Sequence, residues 1–199
     1  IRELAVQLLH NPVEIQIAVS KPAEKIHQMA YVCYEPQKLK IIQDIFKKGD
    51  LQRVIIFSGK KERVKEVTRK LKSMHINCDQ MHSDLSQAER DEAMYRFKAG
   101  QTDVLVATDI VARGIDIDDI RLVINYDVPS DSEDYVHRIG RTARADRDGE
   151  AITFVSDDDM YRFQSIEHFL GKEVEKTPLP EGLGEAPVYT KREKKRSNT

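Results

Sequence analysis

Hydrophobic and polar positions along this 199-residue chain follow two alternating periods. Short runs rich in β-branched residues predict fully buried strands. Four runs of this kind are clear: Val54–Phe57, Val104–Ala107, Leu122–Asn125 and Ala151–Val155. Three weaker runs predict further strands: Glu14–Val19, His27–Val32 and Ile76–Gln80.

Amphipathic segments of helical length lie between these runs. The predicted helices are Ile1–Leu9, Pro36–Lys48, Glu62–Met74, Ser86–Lys98 and a segment from Ser130 through Ile139. Ser86–Glu89 and Ser130–Glu133 both have the pattern of a capping box. Strands and helices that alternate with short connections predict an α/β fold, a doubly wound parallel sheet with helices on both faces. Ligands of such sheets bind beyond the carboxyl ends of the strands, so we expect the chemistry in the loops after Phe57, Ala107 and Asn125.

Composition narrows the class of protein. With 40% hydrophobic and 33% charged residues the chain can bury a core, and it contains no run near the ~18 apolar residues of a membrane span. No signal-peptide pattern occurs, and two cysteines are too few for a disulfide framework, which predicts a cytoplasmic protein. The formal net charge is −2, but Lys191–Arg196 is strongly basic and follows a segment rich in proline and glycine.

The segment Tyr135–Arg144 is the most informative about chemistry. At about 100° per residue of a helix, His137, Arg141 and Arg144 fall within a stripe of about 60°, and Arg138 points about 100° away. Two guanidinium groups beside an imidazole suit phosphate oxygens and could stabilise charge on a transferring phosphoryl group. A solvated basic helix face is the alternative. Gly140 favours close approach of a ligand, because glycine within a helix costs about 1 kcal/mol.

A second segment follows the predicted strand at 104–107. Thr108 and Asp109 end this strand, and Arg113, Gly114 and Asp116 come in the loop behind it. A threonine hydroxyl and exposed backbone amides can bind a phosphodiester, and a carboxylate can accept a hydrogen bond from a ribose hydroxyl. The alternative is a strand-to-helix turn in which the threonine and the aspartates only cap.

The third segment, Met81–Arg90, places Gln87 and Arg90 on one helix face, and by itself it predicts only a capped helix. The chain contains no phosphate loop of the Gly-x-x-x-x-Gly-Lys-Ser/Thr type and no acidic pair placed to hold Mg²⁺. Its histidines lack the spacing of a metal site, so we predict no metal ligands. The chain therefore has arginine side chains that could bind a phosphate, but it lacks the phosphate-binding loop with which they would act.

Taken together and in order, these segments resemble motifs IV, IVa, V and VI of DEAD-box RNA helicases. The segments that carry the resemblance are Ile55–Phe57, Gln87-x-x-Arg90, Ala107–Asp116 and His137–Arg144. The resemblance covers residues 26–175 and is to the second RecA-like domain. Residues 1–25 resemble the end of the preceding ATP-binding domain with its linker, and residues 176–199 are expected to form a flexible tail rich in proline, glycine and basic residues. Gly171–Glu175 and this tail are most similar to the bacterial RhlE-type branch.

The resemblance implies the C-terminal half of an ATP-dependent RNA helicase, inactive without its first domain. ATP would lie between the two domains, with Mg²⁺ held by the first, and RNA would be gripped without sequence preference by a monomer that contacts no membrane. His137 would pair across the cleft, while Arg138 and Asp109 would brace motifs V and VI. The other implied roles are arginine fingers for Arg141 and Arg144, ATP binding for Asp116 and Gly114, and RNA binding for Gln87, Arg90, Thr108, Arg113, Gly114 and Lys60.

The chain departs from the family pattern at three places. Ala143 and Ser83 stand where glycine is usual, and Gly59-Lys60-Lys61 replaces Asn-Thr-Lys. Two other functions fit the same residues: a DNA-directed superfamily-2 helicase domain, and a binding module for nucleic acid or protein without catalysis. RNA or DNA dependence of ATP hydrolysis separates the first from an RNA helicase, and intact arginine and aspartate positions argue against the second.

Overall fold

A single parallel sheet organises the protein, whose computed structural model describes residues 25–109, 117, 119–142 and 147–190. The seven strands of these residues are β1 (Ile26–Val32), β2 (Val54–Ser58), β3 (Cys78–Met81), β4 (Val104–Thr108), β5 (Leu122–Asn125), β6 (Gly149–Val155) and β7 (Glu175–Lys176). Their order in the sheet is β3-β4-β2-β5-β6-β1-β7, and every pair is parallel. The four clear strand predictions are confirmed, and β6 begins two residues earlier than predicted.

Helices cover both faces of the sheet. They are α1 (Glu35–Lys47), α2 (Lys61–Ser73), α3 (Gln87–Lys98), α4 (Ser132–Ile139) and α5 (Met160–Leu170). Alternate residues of one strand separate the faces: Ile56 packs in a core with α1 and α2, whereas Ile55 packs in a core with α3. A third cluster joins β1 and β6 to α4 and α5. The predicted doubly wound α/β fold is therefore confirmed.

The helix starts show where local capping decides a boundary. The Ser86 hydroxyl accepts a hydrogen bond from the Glu89 amide at 3.2 Å, and the Glu89 carboxylate accepts one from the Ser86 amide at 3.2 Å, so this capping box is confirmed. The second prediction is wrong in detail. Asp131, not Ser130, caps α4, because its carboxylate accepts from the Asp134 amide at 2.8 Å.

The segment after β7 has neither helix nor strand between residues 177 and 190, as its prolines and glycines predict. It nevertheless contacts the domain at both ends. The Gln37 side-chain amide donates to the backbone oxygens of Leu183 (3.0 Å) and Glu185 (2.9 Å). Tyr189 packs on Phe163. Composition did not predict these contacts. The predicted elements before residue 25 and the basic tail Lys191–Arg196 lie outside the described residues.

Candidate functional site

The loops that the sequence singled out do meet at one edge of the sheet. Ser58 pairs with Thr108 across β2 and β4, and Phe57 pairs with Asn125 across β2 and β5, so the three carboxyl ends are adjacent. Ser58, Thr108 and Asn125 are all buried. Because parallel strands end at the same edge, residues distant in sequence come together here.

Arg138 links this edge to α4. Its guanidinium forms an ion pair with Asp109, donates to Asn125 Oδ1 at 3.2 Å and lies 5.2 Å from the centre of the Phe57 ring. The residue is only 7% exposed. A planar fork with several donors can satisfy two acceptors at once, which a lysine cannot do in the same geometry. Arg138 therefore joins the end of β4, the end of β5 and α4 as one buried unit.

The helical stripe that the sequence predicted extends beyond the end of α4. The helix ends at Ile139, with Gly140 as its C-cap, and Arg141 lies in the following turn, where its amide donates to the Arg138 carbonyl at 3.3 Å. His137 is exposed on the helix and Arg141 is partly buried. Arg144 and Ala143 lie outside the described residues.

Close packing fixes the turn that carries Arg141. The Thr142 hydroxyl donates to the Ile139 carbonyl at 2.8 Å, and Gly149, the first residue of β6, presses against Thr142. A Cβ at Gly149 would lie 2.8 Å from the carbonyl carbon of Thr142 and closer still to its side chain. The turn is thus held beside the amino end of β6, and not at the edge where Thr108 lies.

Gly140 lies close to the preceding turn of its own chain. A Cβ at Gly140 would lie 3.0 Å from the carbonyl oxygen of Val136. That Gly140 also allows close approach of a ligand stays a prediction.

The residues predicted to bind RNA are distributed around the carboxyl edge. Gln87 is exposed and its amide donates to Asp91 at 2.9 Å. Arg90 donates to the Leu85 carbonyl at 3.1 Å, which anchors the turn before α3. Thr108 is 8% exposed at the end of β4. Arg113, Gly114 and Asp116 lie outside the described residues.

A cluster of lysines at the start of α2 is partly neutralised. Lys61 and Lys65 donate to the two oxygens of Asp84 at 2.9 and 2.7 Å. Hydrogen bonds from Lys65 and Lys61 lower the pKa of Asp84 to about 2, so this carboxylate stays ionised. Lys60 is exposed and, within the part of the chain that the structure describes, has no ion-pair partner. Of Lys60, Lys61 and Lys65, only Lys60 therefore presents to solvent a charge that no described carboxylate neutralises.

Sequence reasoning missed two charged residues at the same edge. Lys38 is completely buried, and its ammonium donates to Asp127 Oδ1 at 3.2 Å and to Glu35 Oε1 at 2.6 Å. Asp127 also accepts from Ser58 Oγ at 2.6 Å and from the Gly59 amide at 3.0 Å. The signal was present, since Lys38 lies on the apolar stripe of α1 together with Ile41 and Ile42.

The pKa values of this pair favour two charges. Burial alone would lower the pKa of Lys38, but the carboxylates of Asp127 and Glu35 outweigh it and raise that pKa above its usual value. Burial alone would raise the pKa of Asp127, but the charge of Lys38 and the hydrogen bonds from Ser58 and Gly59 hold it below the usual range. Both groups are therefore ionised at neutral pH.

His82 directly follows the edge strand β3 and is a buried side chain. Burial, helped by the charge of Lys65, lowers the pKa of His82. Its Nδ1 accepts from the Asp84 amide at 3.3 Å, and its Nε2 is buried without a hydrogen-bond partner among the described residues. Over the same residues no group of three or more His, Cys, Asp or Glu side chains could hold a metal, and no helix has the length and hydropathy to cross a membrane.

Comparison with known sequences identifies relatives of the whole domain. Residues 37–146 match the family model described as helicase conserved C-terminal domain. ATP-dependent RNA helicase eIF4A of Candida albicans is 35% identical over 182 residues, covering 90% of this chain and 46% of the relative. The corresponding helicase of Scheffersomyces stipitis is 36% identical over 182 residues. The chain spans about half the length of the curated relatives it matches.

Solved structures agree with this result. The E. coli DEAD-box protein SrmB, solved bound to the regulator of ribonuclease activity RraA, is 34% identical with a TM-score of 0.71, covering 81% of this chain and 96% of that chain. The C-terminal domain of the DEAD-box protein Dbp5 is 33% identical with a TM-score of 0.74, covering 78% and 92%. S. cerevisiae Dbp5 bound to RNA and ADP BeF3 is 34% identical with a TM-score of 0.71, covering 77% and 42%.

Proposed function

The chain belongs to the helicase conserved C-terminal domain family, among DEAD-box RNA helicases, and on that premise we propose that it supplies arginine fingers and half of an RNA groove to an ATP-dependent RNA helicase. The observation that carries the proposal is the buried Arg138–Asp109 ion pair. It ties the segment that would bind RNA to the helix that precedes the proposed finger, so a movement of one moves the other.

In this proposal Arg141 meets the γ-phosphate of ATP. A guanidinium donates two parallel hydrogen bonds and keeps its charge, which suits the charge that develops on a transferring phosphoryl group. The turn held between Ile139 and Gly149 supplies the rigid support that such a donor needs. Arg144 is the second finger, and Asp116 and Gly114 hold the nucleotide. We assign Mg²⁺ to the first RecA-like domain, following the family resemblance.

RNA would bind along the carboxyl edge, where Thr108 and Gln87 lie and where Lys60 is exposed. Contacts to phosphates and 2′-hydroxyls give affinity with little sequence preference. Closure of the two domains around ATP would complete both the phosphate site and the groove, and so bend one strand of a short duplex. In this proposal the first RecA-like domain belongs to the same protein, which acts as a monomer. His137 and Arg138 lie near the contact between the two domains. The assignment to the RhlE-type branch is also part of the proposal.

The test is steady-state ATP hydrolysis by the complete protein that contains this chain, with and without single-stranded RNA. Arg141→Lys keeps the charge and loses the planar fork, so we expect kcat to fall on the order of 10²-fold with little change in ATP affinity or melting temperature. The matched control is Arg162→Lys, because Arg162 is half exposed and, among the described residues, pairs only with Asp159 of the preceding turn. Residues 1–199 alone should not hydrolyse ATP.

Four results would contradict the proposal. If Arg141→Lys keeps its ATP turnover, Arg141 is not an arginine finger. If that variant unfolds, the turn that carries Arg141 has a structural role instead of a catalytic one. Stimulation by single-stranded DNA as strong as by RNA makes the protein a DNA-directed helicase instead. Absence of any nucleic-acid-stimulated turnover in the complete protein leaves a binding module.

A further inference from the structure

The buried Lys38 is the residue that the proposed function does not yet use. A lysine ammonium is seldom fully buried, because removal of its water costs several kcal/mol unless partners replace the water. Here Asp127 and Glu35 do so, and the ammonium also lies 5.4 Å from the centre of the Tyr126 ring. A buried ion pair of this kind adds little stability compared with apolar residues of the same volume. Stability therefore does not explain why this ion pair lies at the carboxyl edge of the sheet, which favours a functional explanation.

Asp127, the partner of Lys38, controls the path of the loop after β2. Oδ2 of Asp127 accepts from the Ser58 hydroxyl and the Gly59 amide, and Oδ1 faces Lys38. Only Gly59 and Lys60 separate the end of β2 from the first residue of α2. The start of α2 has no side-chain cap of its own, since Lys60 occupies the N-cap position. The two hydrogen bonds that Asp127 accepts thus constrain where this short loop runs.

Lys60 is the exposed end of that arrangement. Its amide lies 3.5 Å from the Ser58 hydroxyl, and its side chain extends into solvent while Lys61 and Lys65 are paired with Asp84. A flexible four-carbon side chain binds a phosphate well only if its backbone is fixed, because ordering it costs rotamer entropy. The loop path therefore decides how strongly the charge of Lys60 acts on an RNA phosphate.

We propose that Lys38 is a positioning residue for RNA binding: through Asp127 it fixes the Gly59–Lys60 loop, so that the exposed Lys60 ammonium meets a backbone phosphate. This inference rests on the proposed function and names a residue 22 positions away from the contact that it supports. Lys38 itself touches no RNA, since it is completely buried. Its effect on RNA passes through two hydrogen bonds of one carboxylate.

The experiment measures binding of a fluorescent single-stranded RNA to the complete protein, with a nonhydrolysable ATP analogue, at several salt concentrations. Lys60→Ala should weaken binding about fivefold at low salt and reduce the slope of log K against log salt by about 1. Lys38→Met should weaken binding about threefold and also reduce the slope, although Lys38 contacts no phosphate. The double variant should bind no more weakly than Lys60→Ala alone, because one residue acts through the other.

Lys176→Met is the matched control. Lys176 also pairs with a buried carboxylate, Glu167 at 2.8 Å, but it lies in the edge strand β7. A loss of stability without a change in the salt slope is the expected result for Lys176→Met. If it lowered the slope as much as Lys38→Met does, general destabilisation would explain both and the inference would be overturned.

The remaining outcomes separate this inference from the proposed function. If Lys60→Ala lowers the slope and Lys38→Met does not, the positioning role is wrong and the RNA groove stands. If Lys60→Ala changes neither the RNA affinity nor the salt slope, the loop does not contact RNA and the inference fails. The proposed function is then still tested separately, by RNA-stimulated ATP hydrolysis of the complete protein. If Lys38→Met does not fold, Ser58→Ala is the test, because it removes the hydrogen bond from Ser58 to Asp127 and changes no charge. Unchanged RNA affinity and an unchanged salt slope for Ser58→Ala would overturn the inference.

Discussion

Replacement of Arg138 by methionine is the sharpest test of how the site is held together. Methionine has nearly the length of the arginine stem, so it fills most of the space and removes the guanidinium. Asp109, with a side chain 25% exposed, then loses its ion-pair partner, and the fully buried Asn125 loses a donor to Oδ1. The Phe57 ring loses its cation at 5.2 Å.

The magnitude follows from these three losses. Breaking a buried ion pair costs about 3–5 kcal/mol, and the partial exposure of Asp109 reduces this to about 2 kcal/mol. The lost hydrogen bond to Asn125 adds about 1 kcal/mol and the lost cation–π contact about 0.5 kcal/mol. We therefore expect Arg138→Met to lower the free energy of unfolding by about 3–4 kcal/mol. Arg138→Lys should lose about half of that, because one ammonium cannot reach both acceptors as the fork does.

The assay is urea unfolding of residues 1–199, followed by circular dichroism and extrapolated to water. Arg162→Met serves as control, since the Arg162 side chain is half exposed and its contact with Asp159, at 3.4 Å, should be worth about 0.5 kcal/mol. A loss below about 1 kcal/mol for Arg138→Met, or one equal to that of the control, would refute the reasoning, because the ion pair would then not be a structural link.

Three further predictions use other contacts. Gly149→Ala should destabilise the domain by about 1–3 kcal/mol and lower turnover, since its Cβ displaces Thr142. Urea unfolding and hydrolysis assays check this against Gly49→Ala, whose Cβ meets open space. Asp84→Asn should strengthen RNA binding and steepen its salt dependence by freeing two lysines, and an unchanged slope in the binding assay would contradict this. For Asp127, whose folded pKa lies below the unfolded value of about 3.9, the stabilisation is complete above about pH 4 and is lost as the pH falls through the folded pKa. Unfolding between about pH 7 and about pH 2.5 should therefore show Asp127→Asn less stable than the parent at neutral pH, with a difference that shrinks as the pH falls through the folded pKa.

Local patterns predicted the frame of this protein well. The β-branched runs became central strands because a strand buried on both faces must be apolar throughout, and this requirement is visible in four or five consecutive residues. The capping box at Ser86 was equally readable, because its bonds join residues three apart. The α4 cap was misassigned to Ser130, since Asp131 next to it has a side chain with the same capping ability.

The sequence by itself thus determined the fold class, the sheet edge where the ends of β2, β4 and β5 meet, and the family to which the chain belongs. The family resemblance already implied that Arg138 acts together with Asp109, and the ion pair between them agrees with that expectation. Only the tertiary structure decided that Arg138 also bonds Asn125, that Gly149 holds the turn of Arg141, and that Lys38 is buried against Asp127. The physical reason is sequence distance. Periodicity and capping act between neighbours, whereas these contacts join residues from 7 to 89 positions apart, and only the packing of strands and helices brings them together.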